Sequence, residues 1–204
     1  MLIDLSHKLD NQVVSFPGDP PIQITQIADF ERNGYSNYIL NTGMHVGTHI
    51  DGLSHMTSSA EKIGNAQIEC FYGEAILLNY NDVEIIDITE NLRLLDLTDK
   101  IVLIYTNSDK LWGSQEYFIN HPVLTLKLAK YLIKNKVKLI GIDFPSPDKA
   151  PYHIHKLLLK NGVYILENLT RLNHLANKKK IHLMAFPLNI SSDSSPVRAI
   201  AQVE

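Results

Sequence analysis

Short runs of apolar residues recur along the chain after residue 70 and predict buried β-strands. The runs are Ala75–Asn79, Ile101–Thr106, Val137–Asp143, Tyr164–Leu166 and His182–Leu188. Their nearly continuous hydrophobicity is typical of strands in a sheet that is covered on both faces. Two earlier segments, Ile22–Phe30 and Ser36–Asn41, alternate between apolar and polar residues and predict half-exposed antiparallel strands.

Helical spacing is clearest between Val123 and Lys134, where a helix is predicted to follow Pro122. A helix is also predicted before Cys70, and another over Pro151–Lys160, which Asn161-Gly162 would end. Helices interspersed with buried strands predict an α/β fold with a mixed sheet. We expect one domain over residues 1–204, because this length is ordinary for a single core.

The composition narrows the classes of function. Hydrophobic residues make up 45% of the chain, charged residues 20%, and the formal net charge is −3. This balance gives no electrostatic case for nucleic acid or an anionic membrane as a partner. Cys70 is the only cysteine, no signal sequence opens the chain, and no apolar run approaches the ~20 residues that span a bilayer. We therefore expect a cytoplasmic protein.

Candidate metal ligands cluster in one short segment. His45, His49, Asp51 and His55 all occupy odd positions, so in an extended chain they would share one side. His45 and His49 would lie about 13 Å apart on a straight strand, which is too far to share one ion. Binding therefore requires the chain to bend, and Gly47 and Gly52 allow bends.

Imidazole and carboxylate suit Zn²⁺ and other first-row divalent ions such as Mn²⁺, and the ligand type alone does not choose between them. The alternative is a histidine-rich surface loop. Four ligand-type side chains around two glycines favour the metal site.

The segment from His45 to His55 matches the signature His-x-Gly-Thr-His-x-Asp-x-x-x-His. It resembles the cyclase family of metal-dependent hydrolases, which includes the bacterial kynurenine formamidases, or arylformamidases. Further blocks resemble that family in its order. They are Ile3–His7 with Phe16–Asp19, Gly141–Asp148, His155–Leu159 with Ile165–Leu169, and Pro187–Asn189 with Ser195–Ala199.

The resemblance implies a swivelling α/β/α fold and a site for two divalent ions, Zn²⁺ or Mn²⁺. It implies that His45, His49 and Asp51 hold one ion, and that a bridging Asp51 joins His155 and Glu167 around the other. On local sequence alone, His155 and Glu167 would be a helical surface histidine and a surface glutamate. His153 lies outside the matching block and is expected at the surface or behind the ligands.

The resemblance also assigns roles beside the ions. It places the general acid/base at His55, for which a hydrogen-bonding role behind the site is the alternative. Phe16 stands where kynurenine formamidases carry a tryptophan that stacks on substrate, and the alternative is a core aromatic. Asp143, Ser146 and Asp148 are expected to be scaffolding near the site.

The sequence therefore predicts a metal-dependent hydrolase of a C–N amide bond in a small molecule, with arylformamidase as the leading activity. The alternatives are hydrolysis of a cyclic amide such as isatin, and a protein of this fold that binds metal and a small ligand without turnover. We expect a homo-oligomer, with neither nucleic acid nor membrane as a partner.

Overall fold

The computed structural model describes all 204 residues, Met1–Glu204. Thirteen strands run in chain order. They are β1 (Leu2–Asp4), β2 (Gln23–Ala28), β3 (Asn37–Asn41), β4 (His49–Asp51), β5 (Tyr72–Asn79), β6 (Ile85–Ile86), β7 (Ile101–Tyr105), β8 (Val123–Leu124), β9 (Leu139–Ile142), β10 (Tyr164–Glu167), β11 (Ile181–Met184), β12 (Ser194–Pro196) and β13 (Ile200–Val203).

The helices are short. The α-helices are α1 (Phe30–Asn33), α2 (Glu90–Arg93), α3 (Gln115–Ile119), α4 (Leu126–Lys134) and α5 (His153–Lys160). Four 3₁₀ turns cover Ile63–Asn65, Ile68–Phe71, Ser108–Leu111 and Leu172–Leu175. None of the helices is long and apolar enough to cross a membrane.

Nine strands form one mixed sheet in the order β1-β13-β11-β5-β7-β9-β10-β4-β12. The centre, from β5 through β7 and β9 to β10, is parallel. The strands at both sides pair antiparallel, including β4 between β10 and β12. This arrangement confirms the predicted α/β fold with a mixed sheet.

Both faces of the central strands are buried, as the continuous apolar runs predict. In β7, Ile101 and Leu103 belong to one hydrophobic cluster, while Val102 and Ile104 belong to a second cluster on the opposite face. Helices α4 and α5 cover the second face with their apolar sides. The functional candidates lie where that face meets β4.

Several predicted elements differ in their bounds or type, and three of the differences have a clear physical reason or change the element. Helix α4 begins at Leu126 and not at Val123, because β8 pairs with β6 and Thr125 Oγ1 accepts a hydrogen bond from the N–H of Leu128 at 3.0 Å. The helix predicted before Cys70 is a pair of 3₁₀ turns. Strand β11 ends at Met184, three residues before Pro187, which cannot donate to a ladder.

Candidate metal centre

Strand β4 presents His49 and Asp51 on one face of the sheet. Ile50 between them is fully buried in the hydrophobic cluster on the other face. Both polar residues are buried as well, with exposed fractions of 1% for His49 and 0% for Asp51. The alternation expected from the sequence is therefore present over these three residues.

Glu167 reaches the same point through strand pairing. It ends β10 and is the direct antiparallel partner of His49 in β4. Side chains at paired positions share a face, and Glu167 Oε2 lies 3.4 Å from His49 Nε2. The register between β4 and β10 thus joins two residues that the sequence separates widely.

His155 comes from the first turn of helix α5. Its Nε2 lies 2.9 Å from Asp51 Oδ2, and its Nδ1 lies 3.3 Å from Ser146 Oγ. Asp148 Oδ2 accepts a hydrogen bond from the N–H of Ile154 at 2.7 Å and so fixes the start of the helix. Ser146 thus contacts His155 itself, and Asp148 contacts the first turn of the helix that carries it.

The bend at Gly47 brings His45 back to its neighbours. Gly47 has a φ of +70°, a backbone conformation that favours glycine, and a Cβ there would overlap a methyl group of Leu9. His45 Nδ1 consequently lies 2.8 Å from Asp51 Oδ1, and the rings of His45 and His49 are 5.1 Å apart. The curl that metal binding requires is present.

His55 is held from the other side by Asp193. Asp193 Oδ2 lies 3.0 Å from His55 Nδ1 and 2.9 Å from His45 Nε2. The close approach depends on Gly52, where a Cβ would sit 2.6 Å from the backbone oxygen of Asp193. Gly52 therefore serves contact between two chain segments and not a left-handed turn.

The arrangement fits a divalent cation. Three buried atoms, His49 Nε2, Asp51 Oδ1 and Glu167 Oε1, have no hydrogen-bond partner. Asp51 Oδ1 lies close to His45 Nδ1 without hydrogen-bond geometry. Buried polar atoms without partners are costly in a native protein. The ligand atoms of His45, His49 and Asp51 all lie within 4.8 Å of one another, and so do those of Asp51, His55 and His155.

Backbone and amide contacts fix His49 as a candidate ligand. Its Nδ1 lies 2.8 Å from the carbonyl oxygen of Gly47, which can only accept, so Nδ1 carries the proton. Nε2 is then left with a lone pair that faces the carboxylates. A metal-ligating histidine usually donates its other ring N–H to a carbonyl or carboxylate oxygen in this way.

The surroundings shift the pKa values of Asp51 and Glu167 in opposite directions. Burial alone would raise the pKa of Asp51, but His155, His45 and His49 hold it well below its usual range. Burial, and then the charges of Asp51 and Asp148, raise the pKa of Glu167 well above its usual range. Two carboxyls that compete in this way would both ionise with a cation between them.

The pKa values of His45 and His55 also shift in opposite directions. Burial would lower the pKa of His45, but Asp51 and Asp193 raise it to about 9. Burial lowers the pKa of His55, and the nearby His45 and His155 act in the same direction. Burial would raise the pKa of Asp193, yet His45 and His55 lower it to about 2, so this carboxylate is ionised.

A cavity of about 180 Å³ opens beside this cluster. Its wall includes Phe16, whose ring meets that of Phe118 edge-on at 5.6 Å. Met56, Pro145 and Tyr152 add further apolar surface, and Asp19 adds a carboxylate. Phe16 is thus on the cavity wall and in contact with a second aromatic ring.

Two other predicted residues lie apart from the cluster. The carboxylate of Asp143 accepts hydrogen bonds from the backbone N–H groups of Thr106 and Asn107 and from Thr106 Oγ1, so it holds the loop after β7. His153 is exposed at the start of α5. Asp143 thus has the contacts of a scaffolding residue, and His153 lies at the surface, which is one of the two positions expected for it.

Some residues of the site are not indicated by any local spacing in the sequence. Asp193 lies in a polar stretch that is typical of a surface turn, and no spacing relates it to His55. Asn168 is buried, donates to the Gly47 carbonyl oxygen at 2.8 Å and accepts from the hydroxyl of Tyr117 at 2.8 Å. Only the folded chain reveals these contacts.

Comparison with known proteins places the chain in a family. The family described as "Putative cyclase" matches residues 3–149. The kynurenine formamidase of Bacillus thuringiensis (strain Al Hakam) is 31% identical over 204 residues, which cover 97% of this chain and 95% of that protein.

Solved structures share the fold. Isatin hydrolase A from Labrenzia aggregata, bound to benzyl benzoate, superposes with a TM-score of 0.86 at 23% identity, covering 98% of this chain and 93% of that one. Isatin hydrolase A from Ralstonia solanacearum gives a TM-score of 0.86 at 20% identity, covering 100% and 92%.

The fold and the cluster define an α/β protein with a candidate metal centre at the antiparallel side of a mixed sheet. The chain belongs to the cyclase family, as the relatives and the match over residues 3–149 establish.

Proposed function

We propose that this chain is a metal-dependent hydrolase of the C–N amide bond in a small molecule, with arylformamidase as its leading activity. The reaction would convert N-formylkynurenine to kynurenine and formate. One observation carries the proposal: the unpaired buried Nε2 of His49 lies 3.5 Å from Asp51 Oδ1 and 3.4 Å from Glu167 Oε2, beside a cavity with aromatic residues in its wall. The relative named kynurenine formamidase supports the choice of substrate class.

Five residues would hold two ions in this proposal. His45, His49 and Asp51 would bind one, and Asp51, His155 and Glu167 the other. Asp51 suits the bridge because its Oδ1 faces His45 and His49 while its Oδ2 faces His155. Ions bound there would lower the pKa of a water molecule and polarise the amide carbonyl. Nitrogen and oxygen ligands without thiolate suit Zn²⁺ or Mn²⁺.

His55 is the proposed general acid/base. Because the carboxylate of Asp193 can only accept, Nδ1 of His55 donates to it and Nε2 keeps a lone pair. His55 would take a proton from the attacking water and deliver it to the nitrogen as the C–N bond breaks. Burial holds the pKa of His55 below the ordinary value, which favours the neutral ring that can accept a proton.

Asp193 acts as a positioning residue in this scheme. Its Oδ2 contacts His45 and His55 together, so one carboxylate orients a proposed ligand and the proposed acid/base. The arrangement resembles the use of carboxylates behind metal-bound or catalytic histidines in general.

The cavity favours a small aromatic substrate. At about 180 Å³ it is smaller than the roughly 300–1,000 Å³ of sites for drug-sized ligands. Phe16 and Phe118 offer ring surface for an aryl group. Neither lysine nor arginine lines the cavity, and Asp19 adds a carboxylate to its wall. The aromatic rings are therefore the feature of the wall that favours an aryl amide.

A second candidate is hydrolysis of a cyclic aryl amide such as isatin. The same pocket favours it, because an aryl ring bonded to an amide nitrogen is common to both substrates. The third candidate is a protein of this fold that binds metal and a small ligand without turning the ligand over. Such a protein would need no proton carrier at His55.

A substrate panel tests the proposal. Metal-free protein would be reloaded with Zn²⁺ or Mn²⁺ and given formanilide, N-formylkynurenine, isatin and an aliphatic formamide. We expect turnover that depends on metal and is fastest for an aryl formamide. Preference for isatin would favour the second candidate, and metal binding without any turnover would favour the third.

A further inference from the structure

A chain of buried hydrogen bonds leads from helix α3 to His49. The hydroxyl of Tyr117 in α3 lies 2.8 Å from Asn168 Oδ1, and Asn168 Nδ2 lies 2.8 Å from the carbonyl oxygen of Gly47. The same carbonyl oxygen accepts the Nδ1 proton of His49 at 2.8 Å. The side chains of Tyr117, Asn168 and His49 are all buried, so bulk water has little access to these bonds.

The carbonyl of Gly47 fixes the direction of each bond. Its oxygen can only accept, so Asn168 turns its NH₂ group towards it and its own oxygen towards Tyr117. The Tyr117 hydroxyl therefore donates to Asn168. Asn168 Nδ2 also lies 3.4 Å from His49 Nδ1, but the shorter contact of Nδ1 with the carbonyl oxygen decides that Nδ1 carries the proton.

The backbone of Asn168 has an uncommon conformation at this point. Its φ is +57°, in the left-handed region that asparagine tolerates better than most residues. Its carbonyl oxygen accepts a hydrogen bond from Thr48 Oγ1 at 2.6 Å. Asn168 directly follows Glu167, and Thr48 directly precedes His49, so Asn168 connects the segments that carry two proposed ligands. Backbone strain of this kind clusters at functional sites.

We propose that Tyr117 is a positioning residue of the metal centre, which acts through Asn168 to hold His49 in the tautomer that binds metal. The inference rests on the proposed function, because it takes His49 as a ligand. With its Nδ1 proton directed at Gly47, His49 turns the lone pair of Nε2 towards the two carboxylates of the centre. Removing the Tyr117 hydroxyl would leave Asn168 Oδ1 buried without a donor, and the amide would no longer be held towards Gly47.

The Zn²⁺ affinity of the full chain, measured by competition with a chromophoric chelator, tests this role. Tyr117→Phe removes only the hydroxyl and should weaken Zn²⁺ binding by about 10–100-fold, the usual cost of losing a contact behind a metal-ligating histidine. Asn168→Gly, which adopts a positive φ without strain, should weaken binding at least as much. The double variant should bind no more weakly than Asn168→Gly alone, because Tyr117 acts only through Asn168.

Tyr105→Phe is the matched control. The hydroxyl of Tyr105, which is also buried, donates to Asn107 Oδ1 at 3.0 Å, and Asn107 likewise has a positive φ of +71°. Neither residue lines the cavity. This variant should therefore leave Zn²⁺ affinity unchanged. An equal loss of affinity in Tyr105→Phe and Tyr117→Phe would give Tyr117 a general structural role and overturn the proposal.

NMR of metal-free protein labelled with ¹⁵N-histidine gives a second readout, which needs neither activity nor metal. At pH 8, His49 should carry its proton on Nδ1 in the wild type and in Tyr105→Phe, and should be a mixture of both tautomers in Tyr117→Phe. The ring signals of His49 are assigned by their loss in His49→Gln.

Unchanged Zn²⁺ affinity in Tyr117→Phe, or an unchanged tautomer of His49 in that variant, would overturn the proposal. A wild-type His49 protonated on Nε2 would overturn it as well. A wild-type protein that has the expected tautomer but binds no Zn²⁺ would contradict the proposed function, and the ring signals of Tyr117→Phe would still decide whether Tyr117 positions His49.

Discussion

The Oδ2 atom of Asp193 lies 3.0 Å from Nδ1 of His55, although 138 positions separate the two residues. This contact fixes the tautomer of His55 and leaves its Nε2 free to exchange a proton. The same oxygen reaches His45. The carboxylate of Asp193 therefore contacts both the proposed proton carrier and a proposed metal ligand.

Asp193→Ala should lower kcat by about 10–100-fold, the usual effect of removing a group that orients a functional histidine. Asp193→Asn should recover part of the loss, because its amide oxygen still accepts. Ser192→Ala is the control, since Ser192 Oγ donates to Oδ1 of Asp193 and not to the oxygen that faces the histidines. Steady-state kinetics with metal analysis would check this, and an unchanged kcat in Asp193→Ala would refute the role.

His55→Ala should retain its metal while kcat falls by about 10²–10⁴-fold, the range of general acid–base catalysis. Elemental analysis of the purified variant, next to its turnover, makes the distinction. Loss of metal together with activity would reassign His55 as a ligand.

Phe16→Ala should raise KM for aryl formamides by roughly fivefold, equivalent to about 1 kcal/mol of aromatic contact. The effect on an aliphatic formamide should be smaller, since that substrate has no ring to contact. Phe16→Trp should preserve or improve turnover of aryl substrates. Equal losses on both substrate types would mean that Phe16 only supports Phe118, which it meets edge-on.

His7 should make stability depend on pH. Burial lowers its pKa from 6.5 to about 4, and its ring stacks on Trp112 at 4.0 Å. Between pH 6.5 and pH 4, His7 would therefore be protonated in the unfolded chain and neutral in the folded chain. The stability from neutral His7 is therefore complete above pH 6.5 and is lost as pH falls towards 4, by up to about 3 kcal/mol.

Urea denaturation of wild type and His7→Phe at pH 7.0, 5.5 and 4.5 isolates this contribution. Phenylalanine preserves an aromatic ring but cannot titrate, so the variant should lose less stability between pH 7.0 and 4.5. Parallel curves for the two proteins would show that His7 contributes nothing to the pH dependence.

Local pattern predicted the parts of the site that depend on neighbouring residues. Alternation placed His49 and Asp51 on one face, and Gly47 was expected to allow the bend that returns His45 to them. His155 and Glu167 could be connected to these residues only through family resemblance. Their positions depend on the antiparallel register of β10 with β4 and on the packing of α5, which no local spacing encodes.

Long-range contacts also explain what the sequence missed. Asp193 and Asn168 reach the site through pairing of distant strands and through side-chain hydrogen bonds. The start of α4 was predicted too early because Val123 and Leu124 fit helical spacing but pair with β6. Tertiary pairing overrode local periodicity there.

The number of ions that activity requires tests the central claim most directly. Metal-free protein would be titrated with Zn²⁺, and in parallel with Mn²⁺, while hydrolysis of an aryl formamide and bound metal are both measured. We expect activity to reach its maximum at two ions per chain, and Asp51→Ala to bind neither ion tightly because it lacks the bridge. Full activity without metal or with one ion per chain, or full metal occupancy in Asp51→Ala, would contradict the dinuclear hydrolase.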